Sequence, residues 1–458
     1  MAATTINSAR PAGKPREDRP LPRASAAETA GVLGDVIVPL VARGVVVRRP
    51  PVVGLLDRLD ADRRAVTRVQ RLHERHGAGP VRLGLPGREL AFVLEPRDAR
   101  RVLAGSPEPF ATANREKRAA LAHFQPHGVL ISHGPERAAR RRFNEEVLDA
   151  GSRVHRLAGD LVTKMHDEAR VLLGLAAAQG SLTWDVFAAG WWRMVRRLVL
   201  GDPAREDHEL TDMLRRLRGD ANWAFLAPER RALRDRFLRR LELHLSRAEP
   251  GSLAALVAAA PRSGRTAPVE QVPQWLFAFD AAGMATFRAL ALLAAHPAEA
   301  ERAREEVDPR RLGAPQELAF LRATLLESVR LWPTTPVILR DTTTETAWPA
   351  GTLAAGAALA IFAPYFHRDG RRLAAADAFA PWLWLDGSEP PEDWSLVPFS
   401  AGPAACPGRN LVLLSASSVL ATVLASARLR LAGPRRMGPQ APLPATLSPF
   451  GLRFEVTA

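Results

Sequence analysis

The 458-residue sequence predicts a mainly α-helical protein with small β-sheets, folded as a single large domain over residues 31–458 behind a flexible tail of residues 1–30. Three observations carry this. From about Glu136 to Trp332 apolar residues recur at spacings of three and four, broken by turn signals such as Gly201-Asp202-Pro203, Pro250-Gly251 and PRSGRTAPVE. Short β-like stretches occur only towards the two ends of the chain. The composition, 47% hydrophobic and 24% charged, is that of a globular protein with no sharp boundary after the first fifty residues.

Taken in order, MAATTINSARPAGKPREDRPLPRASAAETA holds Pro, Ser and charge but no apolar core of signal-peptide length, hence the tail. A polar helix is expected over about 55–80, ending at Gly77. A hairpin follows in PVRLGLPGRELAFVLE, turning at Pro86-Gly87, and Pro96 and Asp98 open the next helix. After the helical array, TPVILRDTTT and GTLAAGAALAIF read as strands, a Trp- and Pro-containing loop follows, and a last helix runs from about Arg409 to Arg428 before a Pro-rich tail. No repeat period is visible.

The formal charge of +14 comes almost wholly from scattered Arg, with lysine only at Lys14, Lys117 and Lys164. No zinc-ligand spacing, recognition helix or aromatic-basic stripe accompanies it, so nucleic acid is not an expected partner. One cysteine forms no internal disulfide. The longest uncharged runs, Thr352–His367 and Asn410–Ala427, fall short of the ~20 apolar residues of a spanning helix, so no membrane span and a cytoplasmic location are expected.

That cysteine, Cys406, lies in FSAGPAACPGRNLVLL. Alone, a cysteine is most often a small buried hydrophobe. Here Pro407 and Gly408 place it at the start of a long apolar helix, where backbone N–H groups and the helix dipole favour a thiolate. Gly402 and Gly408 let the backbone turn tightly and approach a bound group. Such a loop would suit a metal-binding thiolate.

The spacing of Phe399, Gly402, Cys406 and Gly408 resembles the haem-binding loop of the cytochrome P450 family. In LLESVRLWP, Glu327 and Arg330 are three apart on one helical face and able to pair, and they precede the cysteine as the family's Glu-x-x-Arg helix does. In LFAFDAAGMATFRALALLAAHP, a helical glycine that costs about 1 kcal/mol against Ala signals a close approach to the backbone. The resemblance implies the cytochrome P450 fold and haem b, with Cys406 as the axial thiolate ligand of the iron. Ala282 and Gly283 would make room for dioxygen, and the Thr286 hydroxyl would bond it. It further implies that Arg137, Arg141 and Arg340 contact the haem propionates, with Arg140 or Arg142 as substitutes.

The implied activity is a soluble bacterial monooxygenase of secondary metabolism, hydroxylating or epoxidising an apolar small molecule with dioxygen and two electrons. Those electrons would come from a ferredoxin and its reductase, an acidic ferredoxin meeting a basic face. Substrate walls are expected around Phe124–Leu130, Asn222–Pro228 and Val337–Ile338. Three positions depart from the family pattern: Ala285 precedes Thr286 where an acid is usual, Ala404 replaces a base, and Leu383 replaces an Arg that joins the Glu327–Arg330 pair. Asp280, some ~240° around the helix from Thr286, points elsewhere and does not replace the acid. These departures keep two alternatives open. One is a haem-thiolate enzyme without conventional dioxygen activation (peroxide-driven, isomerase or coupling), the other a non-catalytic haem or ligand carrier.

Overall fold

Apolar residues of the first helices fall on one side and bury there, which gathers the N-terminal third of the chain around a small sheet. The computed structural model describes residues 19–385, 394–433 and 437–457. The predicted tail lies outside them up to residue 18, but residues 19–30 belong to the fold. Pro20 and Arg23 bridge to Thr352 and Arg82, Leu21 is buried, and a Ser25–Glu28 capping box starts helix α1 (Ala26–Val32). Helix α2 (Val38–Ala42) follows. The polar helix predicted over 55–80 is two, α3 (Pro50–Arg58) and α4 (Ala61–His76), because Asp60 takes φ 44 between them; α4 does end at Gly77.

The hairpin forms as β1 (Val81–Leu83) and β2 (Leu90–Phe92), and Pro96 starts α5 (Pro96–Ala104). With β3 (Phe110–Ala111), β5 (Val337–Thr342) and β8 (Ala358–Phe362) they make a sheet of order β1-β2-β8-β5-β3. Strand β8 is buried at every position because it pairs on both edges, with β2 parallel and β5 antiparallel. A core cluster that includes Val69, Phe92, Ile361 and Tyr365 fills this side.

The helical array begins with α6 (Arg115–Leu121), α7 (Gly134–Val147) and α8 (Ala158–Ala178). After β4 (Ser181–Thr183) come α9 (Trp184–Leu200), α10 (His208–Ala221), α11 (Arg231–Ser246) and α12 (Leu253–Ala259). Then run α13 (Val272–Ala295), α14 (Pro297–Glu305) and α15 (Ala319–Leu331). Beyond the sheet lie β6 (Thr346–Trp348), β7 (Gly351–Leu353), α16 (Ala363–His367) and α17 (Arg409–Ser426).

Helices α8, α9, α13, α15 and α17 enclose the larger core. By length and composition alone, Val269–Ala295 and Arg409–Ser426 could cross a membrane, yet 78% of each apolar window is buried in the fold. The C-terminus holds more than a Pro-rich tail: β10 (Arg453–Thr457) pairs with both β9 (Arg428–Leu431) and β4.

Candidate active site

Cys406 lies two residues ahead of Gly408, the N-cap of α17. Its N–H donates to the Phe399 carbonyl at 3.0 Å, closing the loop, and Phe399 packs against the helical core. Gly402 has φ +70, and a Cβ there would come within 2.5 Å of the Leu103 carbonyl oxygen on α5, so glycine is needed for loop and helix to touch. At Gly408, a Cβ would meet only Leu148 Cδ1 at 3.9 Å, so nothing in the protein itself demands glycine. Burial pushes the Cys406 thiol up, while the Gly408 and Arg409 N–H groups and the Arg141 and Arg409 charges pull it down. A cation at the sulfur would tip that balance to the thiolate.

Basic side chains gather beside this loop. Arg141 on α7 donates Nη1 to the Ala405 carbonyl at 2.7 Å and Nε to Glu145 at 2.6 Å. One turn earlier, Arg137 is half-buried, and its Nε reaches Thr112 Oγ1 at 3.4 Å. Arg340 on β5 is buried, donating to Ser106 Oγ at 2.8 Å and the Leu339 carbonyl at 2.9 Å.

Lys117 on α6, which the motifs did not single out, donates Nζ to the Thr112 and Leu339 carbonyls at 3.1 and 3.2 Å. Burial and the neighbouring Arg137 bring Arg340 down to about 10; burial and Arg340 bring Lys117 down to about 7. Among the described residues, Arg137, Arg340 and Lys117 form no ion pair with a carboxylate. The substitutes lie elsewhere: Arg140 bonds Ser132 Oγ, and Arg142 is exposed.

Glu327 and Arg330 on α15 form a two-point pair at 2.6 and 2.8 Å with neither side chain exposed. The Arg absent at Leu383 is replaced by its neighbour: Trp384 Nε1 donates to Glu327 at 2.7 Å, and the Ala380 N–H does so at 2.8 Å. Arg330 also donates to the carbonyls of His367, Ala375, Ala376 and Ala378. His367, held down to about 3 by burial and the Arg330 charge, accepts the Val397 N–H at 3.0 Å, just before the cysteine loop. The sequence reading passed over Trp384 because an indole is not the residue type expected to meet a carboxylate.

Helix α13, which carries Ala282, Gly283 and Thr286, is held by contacts to α9 and α15. Gly283 faces α9: a Cβ there would sit 2.9 Å from Trp191 Nε1, whose N–H donates to the Phe279 carbonyl at 2.8 Å. Thr286 is fully buried and bonds the Ala282 carbonyl at 2.8 Å; Ala282 is buried too, and the Ala285 carbonyl takes Ser328 Oγ from α15 at 2.7 Å. From Val272 to Leu293, the positions not fully buried are Gln274, Phe277, Ala278, Asp280, Ala281 and Arg288. All but Asp280 fall in one stripe, with Thr286 ~140° around from Ala281. Asp280, on the same helix, is held by Arg218 at 2.5 Å.

A small cavity of ≈ 30 Å³ opens where α13 meets the N-terminal helices and the 445–450 loop. Met284, Arg288, Arg43, Arg48, Asp62 and Phe450 line it. Phe124 is core, and Asn222 is spent on the backbone of Val46 and Val47.

The donor set at the cysteine loop fits haem. Among the described residues, no group of three or more His, Cys, Asp or Glu side chains is placed to hold a metal ion, so a metal on Cys406 takes its other ligands from elsewhere. Arg137, Arg340 and Lys117 await the two carboxylates that haem carries. Fold and donor set together suit a helical protein that could hold haem on a cysteine.

Comparison with known proteins agrees. The Cytochrome P450 family model matches residues 276–446. Cyclooctat-9-en-7-ol 5-monooxygenase of Streptomyces melanosporofaciens is 31% identical over 146 residues, 30% of this chain and 32% of that protein. Probable cytochrome P450 4s3 of Drosophila melanogaster is 27% identical over 160 residues, 35% and 32% of the two chains. These matches span about a third of the relatives' length. The structure of retinoic acid-bound cyanobacterial CYP120A1 superposes with a TM-score of 0.66 over 85% of this chain and 93% of that one, at 16% identity, which shows the fold. The chain is thus similar to cytochrome P450 proteins over residues 276–446 and shares their fold.

Proposed function

We propose that the protein is a cytoplasmic haem-thiolate monooxygenase that oxidises a small molecule with an apolar body, using dioxygen and two electrons from a separate ferredoxin and its reductase. The observation that carries the reading is the reach of α7: Arg141 bonds the carbonyl beside Cys406, and Arg137, one turn away, joins the unneutralised Arg340 and Lys117. The Streptomyces relative's name, a monooxygenase, supports the reaction class.

When bound, the haem supplies the oxidising chemistry. Cys406 would hold its iron, and Arg137, Arg340 and Lys117 its carboxylates through charge-assisted hydrogen bonds. Ala282 and Gly283 would leave room for dioxygen, and the Thr286 hydroxyl, which bonds the Ala282 carbonyl in this structure, would be the group to bond it.

Ala285 favours a second reading: without an acid before Thr286 to deliver protons, a peroxide-driven reaction needs less from the protein. A panel of terpene, steroid and fatty-acid probes, incubated with ferredoxin, reductase and labelled dioxygen, decides between them. One labelled oxygen atom in the product supports the monooxygenase. Product with hydrogen peroxide alone selects the second reading; haem-loaded protein inert under both regimes overturns both.

A further inference from the structure

Two amides meet where the loop after α6 reaches the first turns of α13. Gln125, fully buried, donates Nε2 to Gln274 Oε1 at 2.6 Å. Packing backs the contact: Phe124, the residue before, meets Phe277 edge to face with ring centroids 5.9 Å apart. Gly128 makes room for the Gln125 side chain, since a Cβ there would come within 2.9 Å of Gln125 Oε1. Gln274 is only half-buried and begins the open stripe of α13 that continues through Phe277, Ala278 and Ala281.

A second amide network at the start of α13 is closed, and this one is not. Gln271, the N-cap of α13, gives Nε2 to the carbonyls of His127, Thr266 and Ala267 and accepts the Val129 N–H and Asn144 Nδ2. Trp275 Nε1 completes that network on Asn144 Oδ1 at 2.6 Å. Gln125 Oε1, by contrast, is buried without a hydrogen-bond partner. Among the described residues, Gln274 Nε2 has no acceptor either. An unpaired buried amide oxygen is costly, and an unspent N–H donor lies next to it. A hydroxyl, which accepts and donates at one atom, satisfies both; an ether satisfies only the donor, and a hydrocarbon neither.

We propose that Gln274, set in place by Gln125, is a specificity residue that holds a hydroxyl group on an otherwise apolar substrate. The substrate oxygen accepts from Gln274 Nε2 and its hydrogen goes to Gln125 Oε1, while the skeleton lies along Phe277, Ala278 and Ala281. Ala282, where room for dioxygen is proposed, lies about 12 Å along the helix axis from Gln274, so the oxidised carbon is remote from that hydroxyl. Selectivity follows because a substrate without the hydroxyl leaves the amides unpaired. The inference rests on the monooxygenase reading only in naming the bound alcohol a substrate.

Equilibrium dialysis of the haem-loaded protein measures the preference without any turnover. The probes are farnesol and tetradecan-1-ol, each against its methyl ether, which keeps the acceptor oxygen and lacks the donor. The alcohol is expected to bind about 3- to 30-fold more tightly than its ether. Gln125→Met and Gln274→Met, which keep the side-chain length and lose the amide, should bring the alcohol down to the affinity of the ether. Equal binding of alcohol and ether by the parent on both skeletons, or no binding of either alcohol, overturns the proposal, and that comparison does not depend on any variant folding. A preference that survives in both Met variants overturns it too. So does a parallel loss of alcohol and ether, which marks the amides as no more than a staple between loop and helix. A retained preference in a protein that transfers no oxygen to either alcohol refutes the monooxygenase reading and leaves the hydroxyl site standing.

Discussion

Glu327→Gln is the sharpest perturbation of the structure that carries the cysteine loop. The substitution keeps the shape but removes the charge that meets Arg330 Nε and Nη2, and turns one acceptor oxygen into an NH2 facing N–H donors. Four donors now converge on that carboxylate, two from Arg330 and one each from Ala380 and Trp384. Breaking a buried pair by removing one partner costs ~3–5 kcal/mol, since the other charge stays buried and unpaired.

At ~2.1 cal/mol/K per residue, unfolding 458 residues carries ~1 kcal/mol/K of entropy, so Tm should fall by ~3–5 °C. Trp384→Phe removes only one donor and should cost ~1–3 kcal/mol, or ~1–3 °C. Because both changes act on one network, the double variant should lose less than the two losses added. Scanning calorimetry of parent and variants checks this. A Glu327→Gln protein melting within 1 °C of the parent would refute the argument that this pair holds the 375–384 segment.

If the Thr286 hydroxyl bonds dioxygen, Thr286→Ala should lower product formed per electron pair consumed, while Thr286→Ser retains most of it. Coupling assays contradict the assignment if Thr286→Ala leaves that ratio unchanged. In the haem-free protein Lys117, lowered from 10.5 to about 7, costs stability most below pH 7, where it is charged both folded and unfolded. That cost fades as pH climbs towards 10.5, so urea midpoints should rise across this window in the parent, and Lys117→Met should flatten the rise. Ferredoxin-driven turnover at limiting ferredoxin should fall as salt is raised, given the formal charge of +14. A rate insensitive to salt speaks against electrostatic docking.

The cysteine loop was readable from sequence because its turn geometry and its helix start are set by neighbours a few residues away. The same locality made the Phe92 hairpin and the Glu327–Arg330 spacing visible. What stayed hidden depends on partners far along the chain. The β4–β10 pairing joins residues near 182 to residues near 454, and no local pattern announces it. The contacts of α13 are equally distant: Trp191 on α9 packs on Gly283, and Ser328 on α15 bonds the Ala285 carbonyl. Lys117 reads as one more surface cation until α6 folds it against the backbone of β5. The cavity arginines were equally obscure, because among so many arginines only burial separates Arg48 and Arg288 from the solvated ones.

The central claim is that Cys406 binds haem iron as a thiolate. The absorption spectrum of the reduced, carbon monoxide-treated protein tests it most directly. The account predicts the strongly red-shifted Soret band of a thiolate-ligated haem in the parent and its loss in Cys406→Ala with the fold retained by circular dichroism. Haem-loaded parent protein without that band, or a band that survives in Cys406→Ala, would contradict it.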